Sequence, residues 1–157
     1  MCGVLFITGK KNYSDQEIRN LLLQQKHRGV DDLSFTKHKN FILGSNRLAF
    51  NDLSKRANMP MVHGPIEIVF NGEIFNFQDL KKELSEKNDF RNKSDTEVLA
   101  AMLHNYDYHR ALKKIRGMWS FIAYDKRTDD IIISKDQLGS KPLFYTYLDE
   151  TLIFASE

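Results

Sequence analysis

The sequence predicts an α+β fold of layered sheets and helices rather than a doubly wound parallel sheet. Its helical patterns are grouped between runs of strand-like segments instead of alternating with them one by one. The last third of the chain contains short apolar segments separated by polar turns, which is typical of antiparallel hairpins. These two observations together indicate antiparallel sheets with helices packed against them.

The first strand is predicted to begin almost at the first residue. Residues 4–8 form a short apolar run that ends at Gly9, so the N-terminus is expected inside the fold. A helix follows, because the capping-box pattern of residues 14–17 precedes apolar residues at helical spacing. We expect this helix to end at residues 27–29, with the cations near its C-terminal dipole and the glycine in the left-handed cap position.

The rest of the chain carries further strand and helix signals in blocks. Strand-like segments are found at residues 41–48, 66–70, 118–124, 131–134, 143–147 and 152–155. Helices are predicted to begin at Asn76 and at the capping box of residues 94–97, and a shorter helix is predicted at residues 108–115. No linker, repeat or low-complexity segment interrupts this order, so a single domain is expected over residues 1–157.

Composition and charge exclude several classes of function. The chain of 157 residues is 41% hydrophobic, which suits one globular core. Its 23 basic and 21 acidic residues give a net charge of +2 without a long single-sign block, so neither nucleic acid nor a membrane surface is an expected partner. The first apolar run is too short for a signal peptide or a membrane span. A single cysteine excludes an internal disulfide and favours a reducing compartment, with the cytoplasm as the default.

Cys2 is the first residue that suggests chemistry. A free cysteine is more often a small buried apolar residue than a nucleophile. If Met1 is removed, Cys2 carries both a thiol and a free α-amino group, so that nucleophile and base belong to one residue. The buried strand that follows would hold this terminus in place. Position and strand alone leave both interpretations open.

Asn71-Gly72 is a second candidate, directly after a predicted strand. Asn-Gly is a common hairpin pair, and without further context the turn is the favoured interpretation. The alternative is an oxyanion hole, because an asparagine amide and the next glycine N–H can supply two converging donors to a negatively charged oxygen.

Arg47 and Asp95 have ordinary explanations as well as a functional one. Arg47 ends a strand-like segment, and Asp95 lies in the first turn of a helix, where its charge favours the dipole. The alternative is a clamp on a free amino acid, since an arginine fork suits an α-carboxylate and an aspartate suits an ammonium group.

No metal or bound cofactor is predicted for this chain. The five histidines show no metal-ligand spacing, and no glycine-rich phosphate loop of a nucleotide-binding type occurs. The pair Asp31-Asp32 is better explained as a solvated turn than as a metal site.

A set of short motifs occurs along nearly the whole chain; each is weak alone, but the ordered set is specific. The motifs are Met1-Cys2-Gly3, His27-Arg28-Gly29 with Asp31-Asp32, Leu43-Gly44 to Arg47-Leu48, Asn71-Gly72-Glu73-Ile74-Phe75-Asn76, Ser94-Asp95-Thr96-Glu97-Val98-Leu99, Gly117-Met118, Tyr124-Asp125, and Gly139 with Lys141-Pro142-Leu143-Phe144-Tyr145. Taken in order, these motifs resemble the class II glutamine amidotransferases, which are N-terminal nucleophile hydrolases, and in particular the asparagine synthetase branch.

The resemblance implies a four-layer α/β/β/α sandwich of two antiparallel sheets between helices. It also implies the chemistry: Cys2 attacks the side-chain amide of L-glutamine, its α-amino group relays protons, and Asn71 with Gly72 stabilises the oxyanion. A thioester is then hydrolysed to glutamate after ammonia has left.

The resemblance further implies how the substrate is held. Arg47 would bind the glutamine carboxylate, while Asp95, with Glu73 at least through its backbone, would bind its ammonium group. Arg28 belongs to a segment that lines the same site in relatives.

The expected partners are L-glutamine and a synthetase domain or subunit that accepts ammonia; a homo-oligomer is left open. ATP and magnesium are expected only in such a synthetase domain, because residues 1–157 contain no pyrophosphate loop. This chain alone is therefore not expected to make asparagine. Two alternatives are a glutamine-binding or regulatory module that keeps Met1, and an amidase for another amide. The second is disfavoured because Arg47 and Asp95 specify a free amino acid.

Overall fold

The computed structural model describes residues 1–157, which form nine strands and four α-helices. In chain order these are β1 (Gly3–Gly9), α1 (Asp15–Gln24), β2 (Asp32–Lys37), β3 (Phe41–Arg47), β4 (Met61–His63), β5 (Ile66–Ile74), α2 (Phe77–Leu84), α3 (Asp95–Asn105), α4 (Tyr108–Lys114), β6 (Gly117–Asp125), β7 (Asp130–Lys135), β8 (Phe144–Leu148) and β9 (Thr151–Ala155). None of the helices combines the length and the apolar character needed to span a bilayer.

The strands form two antiparallel sheets that pack face to face. One sheet has the order β2-β3-β1-β9-β8 and the other has the order β4-β5-β6-β7. Strands β1 and β3 face β5, helix α1 covers the outer face of the first sheet, and α3 covers the outer face of the second. Helices α2 and α4 pack against α3. The predicted α+β class and the four-layer α/β/β/α architecture are therefore confirmed.

Strand β1 is buried on both faces, which explains why its sequence does not alternate between apolar and polar residues. Val4 and Phe6 belong to the main core of 25 buried residues, whereas Leu5 and Ile7 belong to a second core of six residues. That second core includes Ile18 and Leu22 of α1. Because successive side chains point to opposite faces and both faces are covered, all four positions from Val4 to Ile7 are apolar. This burial holds the N-terminal end of the chain firmly.

Helix α1 begins as predicted but ends differently. The Ser14 side chain accepts the Glu17 N–H, and the Glu17 carboxylate accepts the Ser14 N–H, which completes the capping box. The helix ends at Gln24, and a separate 3-10 turn covers Lys26–Arg28. Gly29 has φ −157°, which is extended, so the predicted left-handed cap is wrong. Glycine is required there because a Cβ would lie 2.5 Å from the Asn46 carbonyl oxygen.

Strand β5 extends further than the sequence predicts. It continues to Ile74 and pairs with β6 along its whole length, with Asn71 opposite Ser120 and Gly72 opposite Trp119. The hairpin-turn interpretation of Asn71-Gly72 is therefore wrong.

Two strands, β2 and β4, are not predicted from the sequence. Asp32 is the first residue of β2, so the solvated-turn interpretation of the Asp31-Asp32 pair is wrong for its second member. Asp31 itself accepts a 2.8 Å hydrogen bond from the Ala49 N–H.

Candidate active site

A cavity of about 270 Å³ lies where the N-terminal end of β1 meets β5 and the start of α3. Six of the seven residues singled out in the sequence line it, and Arg28 does not. A larger groove of about 850 Å³ beside Arg127 contains none of the seven. The lining residues with predicted roles are Cys2, Arg47, Asn71, Gly72, Glu73 and Asp95.

Cys2 presents its thiol to the loop that follows β3. The Leu48 N–H donates a 3.4 Å hydrogen bond to the Cys2 Sγ. Burial raises the pKa of the Cys2 thiol, although this N–H, the terminal ammonium group and Arg47 act in the opposite direction. Met1 also lines the cavity and is 57% exposed, so the residue that blocks the Cys2 amine lies at the surface.

Asn71 lines the same cavity and has an unpaired side-chain donor. The residue is only 1% exposed, and its Nδ2 is buried without a hydrogen-bond partner. Leaving such a group unpaired costs about 1–3 kcal/mol, so a buried unpaired amide is unusual unless it has a ligand to serve.

The Gly72 N–H of β5 is a second donor, and it points away from β6. The Phe70 N–H donates to the Met59 Sδ and the Ile74 N–H to the Asp95 Oδ2, both away from β6. Alternate N–H groups of an antiparallel strand point to the same side, so the Gly72 N–H points to this edge as well. Strand β4 pairs only with residues 66–68 of β5 and does not cover that edge at Gly72. The Asn71 amide and the Gly72 N–H are thus neighbouring donors at the wall of the cavity.

Arg47 lies at the end of β3 and is buried. Its Nη1 donates to the Ser54 carbonyl at 3.2 Å and to the Asn58 Oδ1 at 2.8 Å, and its Nη2 donates to the Asp52 carbonyl. A guanidinium group has five N–H donors, so these three bonds leave two for a ligand. Arg47 therefore holds the loop that lines the cavity, and two of its N–H donors stay free.

The same loop is tied to the segment before α3 through Asp52. Its carboxylate accepts the N–H of Ser54 at 2.7 Å and the N–H of Lys93 at 2.7 Å. Hydrogen bonds from Ser54 and Lys93 lower the pKa of Asp52 to about 2. No role for this residue was predicted from the sequence, although Asn51-Asp52 in a polar stretch after a strand is a usable turn signal.

Asp95 is the first residue of α3, and its carboxylate lines the cavity. Burial raises the pKa of Asp95, while hydrogen bonds from the Ile74 N–H and the Asn51 side chain oppose that rise. A buried carboxylate of this kind is a favourable site for a bound cation, because the cation compensates for the lost hydration.

The predicted capping box in front of α3 forms only in half. The Ser94 side chain accepts the Glu97 N–H at 3.3 Å. The Glu97 carboxylate does not return to Ser94 but accepts the N–H groups of Arg91 and Asn92. The Ser94 N–H donates instead to the Asn92 Oδ1 at 2.8 Å. This local network fixes the helix terminus that carries Asp95.

Arg28 contacts Cys2 from outside the cavity. Its Nε donates a 3.0 Å hydrogen bond to the Cys2 carbonyl, and its Nη1 donates at 2.9 Å to Glu157. It thus supports the backbone of Cys2 instead of lining the site.

Lys141 lines the cavity, but no role for it was predicted from the sequence. Asp136 holds the loop that carries it, accepting the N–H groups of Trp119, Leu138 and Ser140 at 3.0–3.1 Å. The Asp-x-x-Gly-Ser pattern at residues 136–140 is the sequence signal that could have located this turn. No group of three or more metal-ligating side chains comes together in the chain.

Comparison with known proteins identifies the family. The glutamine amidotransferase domain family matches residues 1–157. The chain belongs to this family. Asparagine synthetase (glutamine-hydrolyzing) 1 from Bacillus subtilis is 32% identical over 100% of this chain and 26% of its own length. Amidase chry2 from Gibberella zeae is 30% identical over 100% of this chain and 26% of its own length.

A solved structure supports the fold of this glutamine amidotransferase domain. Glutamine phosphoribosylpyrophosphate amidotransferase from B. subtilis superposes with a TM-score of 0.83 at 20% identity, covering 99% of this chain and 42% of that one. The chain thus spans about a quarter of the length of the two curated relatives.

Proposed function

We propose that this glutamine amidotransferase domain hydrolyses L-glutamine to glutamate and ammonia, with Cys2 as the nucleophile. The observation that carries the proposal is the unpaired Nδ2 of Asn71, buried in the wall of the cavity that also contains Cys2. An oxygen that becomes negative as the thiol attacks an amide would supply the acceptor that this donor lacks.

The chemistry follows from these groups in order. With Met1 removed, the α-amino group of Cys2 accepts the thiol proton, and Sγ bonds to the amide carbon of the substrate. The carbonyl electrons move onto oxygen, where the Asn71 amide and the Gly72 N–H stabilise them. The carbon–nitrogen bond then breaks, the departing nitrogen takes the proton held by the amine, and ammonia leaves behind a thioester. Water attacks the thioester, which releases glutamate and returns the proton to the thiol.

The two ends of the substrate are matched by opposite charges. The free donors of Arg47 suit the α-carboxylate, and the buried carboxylate of Asp95 suits the α-ammonium group. Glu73 lies at the same wall and adds negative charge near that group. The cavity of about 270 Å³ is below the roughly 300–1,000 Å³ of sites for drug-sized ligands, which favours a free amino acid.

The ammonia is proposed to pass to a synthetase domain or subunit. The support is the name of the Bacillus relative, an asparagine synthetase of which this chain spans 26%. ATP and magnesium would act in that domain, and the cytoplasm is the proposed location.

The deciding experiment combines intact mass with glutaminase activity. Protein that has lost Met1 should release glutamate and ammonia from glutamine, and Cys2→Ala should abolish release. Because serine is much less ionised than cysteine, Cys2→Ser should leave at most a trace. Asparagine and a peptide-linked glutamine serve as control substrates and should be poor. Full activity in protein that retains Met1 would exclude the amine mechanism; processed, folded protein that binds glutamine without hydrolysing it would favour the binding module.

A further inference from the structure

The buried guanidinium of Arg28 links two residues at opposite ends of the sequence. Its Nε holds the Cys2 carbonyl at 3.0 Å, and its Nη1 holds the Glu157 Oε1 at 2.9 Å. The Arg28 side chain is only 6% exposed, whereas that of Glu157 is 41% exposed. A continuous path of two hydrogen bonds therefore joins a surface carboxylate to the backbone of the nucleophile residue.

Cys2 needs support of this kind once Met1 is gone. The pairing of β1 with β3 begins at Gly3 opposite Asn46, so Cys2 lies just beyond the ladder. A terminal residue without a preceding peptide unit has free rotation about its own backbone, and both the amine and the thiol must be held in one geometry. The Arg28 bond to the Cys2 carbonyl restricts the peptide plane that follows these two groups.

Glu157 is the group that keeps Arg28 in this arrangement. A buried guanidinium is costly unless it is paired, and the Nη2 of Arg28 is buried without a hydrogen-bond partner. His27 Nε2 also lies 2.9 Å from the Glu157 Oε1. Arg28, followed by His27, lowers the pKa of Glu157, so its carboxylate is charged at neutral pH.

The position of Glu157 is itself fixed by its neighbour. The Val4 N–H donates to the Ser156 Oγ at 3.0 Å, and the Ser156 N–H donates to the Val4 carbonyl at 3.1 Å. Ser156 is fully buried. The two hydrogen bonds between Ser156 and Val4 thus fix the backbone next to Glu157 and also anchor β1 at Val4, two residues after Cys2.

We propose that Glu157 is a positioning residue for Cys2, acting through Arg28, and that its loss slows catalysis without weakening glutamine binding. This inference rests on the proposed hydrolysis of glutamine. Without the carboxylate, the buried charge of Arg28 is uncompensated, the guanidinium turns towards water, and the Cys2 carbonyl loses its donor. Neither Arg28 nor Glu157 lines the cavity, so the glutamine contacts stay in place.

The test compares Glu157→Ala with Glu83→Ala in the Met1-processed protein. Glu83 is a matched control, because its side chain is 40% exposed, its carboxylate lies 2.7 Å from the Lys114 Nζ, and it does not line the cavity. Glu157→Ala should lower kcat roughly 10- to 100-fold with the glutamine KM unchanged, the size expected for a small misplacement of reacting groups. Glu83→Ala should change neither. Equal kcat values in the two variants would overturn the proposal.

A second readout does not depend on glutamine. Cys2 is the single cysteine of the chain, so alkylation by iodoacetamide reports on this thiol alone. Its rate at neutral pH should fall in Glu157→Ala but not in Glu83→Ala, because the amine no longer sits where it accepts the thiol proton. If the wild type hydrolyses no glutamine but Glu157→Ala is still alkylated more slowly than Glu83→Ala, the proposed glutaminase function is wrong and the positioning role of Glu157 stands. If glutamine is hydrolysed and both variants alkylate alike, the positioning fails.

Two further variants separate positioning from a general loss of structure. Arg28→Lys should lower kcat as much as Glu157→Ala does. The double variant should be no slower than either single variant, because both residues act through the same hydrogen bond from Arg28 to the Cys2 carbonyl. Glu157→Gln keeps an acceptor for Arg28 and should recover part of the lost kcat. If Glu157→Ala does not give a cooperative thermal transition, Glu157→Gln takes its place against Glu83→Gln. Strictly additive effects, or no recovery in Glu157→Gln, would contradict the proposal.

Discussion

The Asp95 carboxylate accepts a 3.0 Å hydrogen bond from the Ile74 N–H, which joins the first residue of α3 to the last residue of β5. Asn71 and Gly72 lie on the same strand, only two or three positions earlier. A single bond therefore sets the spacing between the proposed ammonium ligand and the proposed oxyanion donors. Both parts belong to regular elements that are packed in the core, which favours a preorganised site.

Replacing Asn71 should affect the chemical step most. We expect Asn71→Ala to lower kcat about 100- to 1000-fold, as for the loss of one oxyanion donor, with little change in the glutamine KM. Steady-state kinetics of glutamate release provide the measurement, and Asn20→Ala on the exposed surface of α1 is the control. A variant that mainly raised KM would show that Asn71 binds the substrate in its ground state instead.

Neutralising Asp95 should instead weaken substrate binding. Asp95→Asn keeps an oxygen that can accept the Ile74 N–H but removes the negative charge proposed to bind the substrate ammonium group. Hydrogen bonds to charged groups contribute about 1.5–3 kcal/mol, so the glutamine KM should rise roughly 10- to 100-fold while kcat changes less. If KM and kcat are both unchanged, Asp95 does not bind the substrate and acts only at the N-terminus of α3.

A side chain at Gly72 should not be tolerated. A Cβ there would lie 2.3 Å from the Met118 carbonyl oxygen and 2.8 Å from the Trp119 Cα, so β5 and β6 would have to separate. Gly72→Ala should lower the thermal midpoint and abolish glutamate release. Gly44→Ala is the matched strand control, because its Cβ would meet two Leu22 methyl groups at 3.2 Å, which can shift, and the Phe35 Cβ at an ordinary 3.5 Å. Equal midpoints in the two variants would contradict this packing argument.

The loop that carries Lys141 should make stability depend on pH. Burial raises the pKa of Asp136, but hydrogen bonds from Ser140, Trp119 and Leu138 outweigh it and lower the pKa to about 2, from 3.8. The folded-state pKa is below the unfolded one, so this stabilisation is complete above pH ~4 and is lost as the pH falls towards 2.

Asp136→Asn should therefore destabilise the protein by about 2 kcal/mol at pH 7 and by much less near pH 2.5. Urea unfolding at the two pH values measures the difference, and Asp89→Asn at the exposed surface is the control. A free-energy difference between wild type and Asp136→Asn that stayed constant with pH would show that the carboxylate charge is not the cause.

Local signals in the sequence predicted local structure well. The Ser14 capping box forms as expected because its partners are three residues apart. The end of α1 was mispredicted because the conformation of Gly29 depends on Asn46 in another strand. Strand β2 was missed although Leu33 and Phe35 alternate with polar residues, a usable strand signal.

In the candidate site, too, some features follow from local sequence and others depend on distant contacts. The residue types of Cys2, Arg47 and Asp95 are enough to suggest candidate roles without knowledge of their contacts. Asn71-Gly72 favoured a turn by local preference, and only the pairing of β5 with β6 places it in a strand. The loop anchored by Asp52 and the support of Cys2 by Arg28 were not predicted, because both depend on partners far away in the sequence.

The sequence by itself determined the fold class, the family resemblance and the residue types available for amide hydrolysis, since periodicity, capping and ordered motifs are properties of the chain alone. The tertiary structure decided which of those residues share a cavity, that the Asn71 amide stays unpaired, and that Glu157 reaches Cys2 through Arg28. The physical reason is that burial, pairing of charges and the direction of an N–H group all depend on which distant segments pack together.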